Sequence, residues 1–88
     1  MSAGGAAAAG SARRRRPRVV VAFDSTHEAL ECERLCREAG VAGRLIPTPV
    51  SIRADCGLAW AMPPASRGEF ERLVAPGVTC AGTYELEL

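Results

Sequence analysis

The chain has 88 residues, with eleven arginines, no lysine, ten acidic residues and a formal net charge of +1. That length holds one domain, which excludes a two-domain enzyme or any large fold with a deep pocket between layers. Sixteen alanines and nine glycines make the 48% apolar share an overstatement of the available core, and only 5% of the chain is aromatic.

Charge divides the chain before structure does. Residues 1–18 hold five arginines and no acid, whereas residues 19–88 hold six arginines against ten acids. The opening run MSAGGAAAAGSARRRRPR has nothing large and apolar to bury, so residues 1–17 are expected to form a disordered Ala/Gly/Arg-rich tail ahead of a domain at 18–88. A secretory signal needs a basic region followed by 7–15 apolar residues. Here the basic run meets only VVVAF before Asp24, and no stretch approaches a membrane span. The expected compartment is therefore the cytoplasm, with no membrane association. The arginine run lacks an aromatic platform, so it reads as a solvated tail and nucleic acid is not an expected partner.

The β-branched run RVVVAF (18–23) predicts a central strand. Ser25 and Glu28 have the S-x-x-E spacing of a capping box, opening a helix that runs to Ala39 and stops at Gly40. On that helix Ala29, Cys32, Leu35, Cys36 and Ala39 share one side, with most charged residues elsewhere. RLIP (44–47) predicts a second strand, placed at a sheet edge by its prolines. After the loop 48–57, LAWAM (58–62) predicts a third strand closed by Pro63 and Pro64, with Trp60 in the core or on a sheet face. Ser66 and Glu69 repeat the capping spacing before a short helix bearing Phe70, Leu73 and Val74. The alternating TYELEL (83–88) closes the series as a strand with one wet face. Strand, helix, strand, strand, helix, strand is the ferredoxin-like split βαβ plan. The fold class is α+β, a four-stranded, mainly antiparallel sheet with two helices on one face.

This topology brings three distant segments, 24–27, 48–57 and 78–80, to one end of the sheet. A functional site belongs there. Its candidates are Ser25, Thr26, His27, Thr48, Arg53, Cys56, Gly57 and Cys80.

Four cysteines without a secretion signal argue for reduced thiols rather than a disulfide framework. Their spacing, C-x3-C-x19-C-x23-C, contains no C-x2-C knuckle, so no metal site is expected. Cys32 and Cys36 lie on the apolar helix side, where free cysteine behaves as a small hydrophobe. Cys56 differs: it stands in a polar, proline-bounded loop between Asp55 and Gly57, with Arg53 upstream. A thiol attacks only as thiolate, a form that cations and helix N-termini favour. Arg53, the helix start and His27 would act in that direction and Asp55 against it. Gly57 would allow unusual backbone geometry and close approach of another molecule. Cys80 reads either as a half-buried residue at a strand start or as a thiol able to resolve a load on Cys56. His27, the only histidine, is a better surface hydrogen-bonding group than a catalyst here, since nothing indicates an oxyanion site or a substrate cleft.

The runs AFDSTHEALECERL (22–35) and RLIPTPVSIRADCGLA (44–59) resemble the Se/S carrier protein-like family of small bacterial proteins. That family combines a strand, an S-T-x-x-A-L helix, an R-L-I-P-T-P segment and a Cys-Gly pair entering the next strand. The resemblance covers nearly all of 19–88. It implies that Cys56 carries sulfur or selenium as a persulfide or selenopersulfide, with no other cofactor. The protein would then be a carrier, not an enzyme, serving sulfur or selenium donor and acceptor proteins as a monomer or weak homodimer. This chain departs from the pattern in having Val50 where an arginine usually follows P-T-P, and Arg53 where a small hydroxyl residue usually stands. A carrier needs one accessible, reactive thiol rather than a full catalytic apparatus. The competing reading is a ferredoxin-like regulatory module that binds a small ligand or protein at the same loop, with the thiol incidental.

Overall fold

The computed structural model describes residues 16–52 and 56–88. The expected tail falls almost wholly outside them, since residues 1–15 are not described; Pro17 already belongs to the first strand. The elements are β1 (Pro17–Ala22), α1 (Thr26–Ala39), β2 (Arg44–Pro47), β3 (Leu58–Met62), α2 (Arg67–Leu73) and β4 (Gly82–Glu87), with single 3-10 turns at Pro64–Ser66 and Ala75–Gly77. The strands form one sheet in the order β2-β3-β1-β4, antiparallel at every pairing. This is the expected α+β arrangement, compatible with a ferredoxin-like plan. Among the described residues no helix is long and apolar enough to cross a membrane.

Alternation along the strands sorts the apolar residues into two layers. Val19, Val21, Phe23, Trp60 and Met62 face the helices and pack with Ala29, Cys32, Cys36, Phe70 and Val74. Val20, Ala22, Ala59 and Ala61 form a second, thinner layer on the other face, joined by Ile52, Ile46 and Leu86. The first layer holds most of the large buried side chains, each contributing about 1.5–3 kcal/mol by its removal from water. The short valine run therefore sits centrally because both of its faces are buried.

α1 begins as expected at one end of its capping box only. Ser25 has extended backbone and its hydroxyl accepts the Glu28 N–H at 3.3 Å. The Glu28 carboxylate, however, turns away to accept the Thr79 N–H at 3.0 Å. The helix ends at Gly40, whose φ of +76° is left-handed backbone suited to glycine. Ala29, Cys32 and Cys36 are buried as expected, but Ala39 is exposed and Val41, just past the cap, takes the core position. The second S-x-x-E makes no capping box at all. Ser66 already has helical backbone, being the end of the turn begun at Pro64, so its side chain makes no capping hydrogen bond.

Gly43 carries a φ of +149°, and a Cβ there would stand 2.6 Å from Trp60 Cζ2 and 2.7 Å from the Ala61 carbonyl. Trp60 is thus pressed against bare backbone. Its indole Nε1 is buried with no hydrogen-bond partner among the described residues.

Candidate functional site

Strand register brings the expected segments to one end of the sheet. Ala22, the last residue of β1, pairs with Ala59 on one side and Gly82 on the other, and Pro47 pairs with Leu58. The exit from β1, the β2–β3 loop and the entry to β4 therefore lie side by side. Two long-range hydrogen bonds fasten the third segment: Ala81 N–H donates to the Ala22 carbonyl at 2.8 Å, and Thr79 N–H donates to Glu28.

Cys56 occupies the middle of this end. Its Sγ accepts the Leu58 backbone N–H at 3.3 Å and lies 3.9 Å from the Thr26 hydroxyl. Thr26 is the first residue of α1, a 14-residue helix whose N-terminal dipole end is positive. Thr48 holds the other side of the loop. Its N–H donates to the Gly57 carbonyl and its hydroxyl to the Cys56 carbonyl, both at 2.9 Å. The loop thus closes as a continuation of the β2–β3 hairpin, and that closure turns the Cys56 side chain inward. The thiol belongs to the helix-side apolar cluster, and the residue is only 4% exposed. The sequence places it in a polar, proline-bounded loop, and a carrier needs it accessible; the structure shelters it.

The remaining candidates divide. Ser25 is exposed and its hydroxyl is committed to capping α1. His27 is exposed and makes no hydrogen bond to Cys56. Glu31, one turn along, is held low first by the Arg34 guanidinium and, more weakly, by His27. Gly57 is exposed and has no positive φ, and a Cβ there would meet nothing within 4 Å. The unusual geometry expected of Gly57 is absent; what it leaves is open space beside the thiol's backbone. Arg53, with Asp55, lies outside the described residues.

The other thiols are of two kinds. Cys32 and Cys36 are fully buried, with sulfurs 4.0 Å apart. The Cys36 hydrogen bond and burial both push the Cys32 thiol upward, so this sulfur stays protonated. Cys80 is half-buried against the same apolar cluster, and its thiol is raised by burial and by the Glu28 carboxylate. Of the four, Cys56 is the one whose sulfur accepts a backbone N–H among the described residues. No grouping of three or more His, Cys, Asp or Glu side chains suited to a metal ion occurs among the described residues.

Sequence reasoning missed the role of Glu28 as the acceptor for Thr79. The capping spacing that drew attention to Glu28 suggested a local bond, and nothing nearby in the chain signals a partner 51 residues away.

A small single-sheet α+β domain with a sheltered thiol at the convergence of three strand ends defines the class. Within it, the chain belongs to the family described as "Putative Se/S carrier protein-like", whose model matches residues 18–85. No curated protein and no solved structure gives a significant match to the chain.

Proposed function

We propose that Cys56 carries a sulfur or selenium atom, as a persulfide or selenopersulfide, between a donor and an acceptor protein. Family membership supports carriage in general. The observation that carries the assignment to Cys56 is its sulfur's setting, between the Leu58 N–H and the Thr26 hydroxyl at the start of α1.

Loading is an exchange at sulfur. The Cys56 thiolate attacks the outer sulfur of a donor persulfide, R–S–SH. The new S–S bond forms as the donor's S–S bond breaks, and the donor leaves as R–S⁻. Discharge is the same reaction with an acceptor thiolate attacking the outer atom, which returns Cys56 as thiolate. No electrons are gained or lost overall, and selenium in the outer position follows the same course. The Leu58 and Thr26 donors meet the inner sulfur and favour the charge it carries as the attacking group in loading and the leaving group in discharge. Burial slows attack on the outer atom by stray thiols. Exchange with a small thiol is therefore slower than with a partner docked at this end of the sheet, but it still proceeds.

The test is intact-mass analysis after exposure to a low-molecular-weight persulfide and then to its selenopersulfide counterpart. Wild type should gain one chalcogen atom and Cys56→Ser none. An equal gain in both proteins, or none in either, would remove Cys56 from the role and leave the loop as a ligand- or protein-binding module.

A further inference from the structure

We propose that the face of the sheet turned away from the helices holds a separate binding site for a small phosphate monoester, gripped by Arg18 and Arg44. A cavity of about 310 Å³ opens there, lined by these arginines with Ile46, Ala61, Pro63 and Leu88. Register explains its shape. Arg44 of β2 pairs with Ala61 of β3, Ala61 pairs in turn with Val20 of β1, and Arg18 pairs with Leu86 of β4. Cross-strand partners share a face, so the two long side chains rise on the same side as Ala61, with a methyl group as the floor between them. A larger residue at position 61 would fill the trough.

The two guanidiniums make this trough positive. Among the described residues no acidic side chain lines it, and neither arginine has an ion-pair partner. Arg18 is partly buried, and one of its terminal nitrogens donates to the Pro17 carbonyl at 2.9 Å, while its other donors make no hydrogen bond among the described residues. Leu88 is held at the rim by two backbone hydrogen bonds with Arg16, each 2.9 Å. Two guanidinium forks match a tetrahedral group of nearly two negative charges better than a single carboxylate. Ile46, Pro63 and Leu88 supply apolar walls for a non-polar body attached to that phosphate. The site lies toward the Met62 end of β3, whereas Cys56 precedes its Leu58 end, so ligand binding here does not require the thiol.

The probe is phenyl phosphate, titrated into the full chain while backbone amide resonances are followed, with benzoate and sodium chloride at matched ionic strength as comparisons. Saturable shifts centred on Gly43, Arg44 and Ala61 are expected with phenyl phosphate alone. Arg18→Gln and Arg44→Gln, each checked for an unchanged fold by its spectrum, should weaken binding at least tenfold, and Cys56→Ser should bind as wild type. Absence of saturation, equal response to benzoate, or undiminished binding by both folded glutamine variants would overturn the proposal.

Discussion

The Glu28 carboxylate and the Thr79 backbone N–H meet at 3.0 Å, joining the first turn of α1 to the segment that leads into β4. Ser25 caps the same turn from the other side. The start of α1 is therefore the hub of the site end: Thr26 reaches Cys56, Glu28 reaches the Cys80 segment, and Ser25 fixes the helix that presents both.

If that hub is correct, Glu28→Ala should accelerate amide exchange at Thr79 and its neighbours while leaving β1 and β3 protected. Ser25→Ala should instead lower global stability by about 0.5–2 kcal/mol, the usual cost of losing an N-cap. Hydrogen exchange and denaturant unfolding together distinguish the two effects.

Thr26 and Thr48 both contact Cys56 but should fail differently. Thr26→Val keeps its shape at an exposed position, so stability should hold while the loading rate of Cys56 falls severalfold. Thr48→Val removes the hydroxyl that donates to the Cys56 carbonyl, which should cost about 0.5–1.5 kcal/mol and loosen the loop. Loading kinetics and thermal unfolding of the two variants provide the comparison.

Burial and the Glu28 charge hold the Cys80 thiol above its ordinary value. In the unfolded chain this thiol ionises near pH ~8.5, whereas in the native protein it retains its proton to higher pH. Its contribution to stability is therefore complete below that point and is lost as pH rises through the native value. Stability should fall less steeply above pH ~8.5 in Cys80→Ser than in wild type, as followed by urea unfolding across the alkaline range. Alkylation of Cys80 at neutral pH should be slower than that of a free thiol.

Two glycines in this chain have opposite tolerance. Gly43→Ala places a methyl against Trp60 and the Ala61 carbonyl on left-handed backbone, so a loss of at least ~1–3 kcal/mol is expected. Gly57→Ala meets open space without positive φ and should change unfolding stability by less than about 0.5 kcal/mol.

The fold was largely legible in the sequence because its strongest signals are local. The valine run, the Ser25 cap, the Gly40 stop and the alternation of TYELEL each specify an element through contacts within a few residues. Convergence of the three site segments followed from topology alone. What escaped depended on tertiary closure. The polar loop around Cys56 carries no sign of its burial, yet the bonds from Thr48 to Gly57 and Cys56 turn its side chain into the core. Glu28 looked like a local cap because its spacing satisfied that motif, while a distant N–H competed for the same carboxylate. Gly57 drew attention that belonged to Gly43, whose constraint comes from Trp60 on a neighbouring strand.

Discharge of a loaded Cys56 decides whether the atom it holds is transferable. Protein loaded with a single sulfur would be mixed with an excess of a small acceptor thiol and its intact mass followed over time. Carriage predicts that the added atom leaves, the acceptor appears as its persulfide, and the protein returns to its unloaded mass with Cys56 free. A load that stays on the protein, or a protein that ends as a mixed disulfide with the acceptor at Cys56, would contradict it.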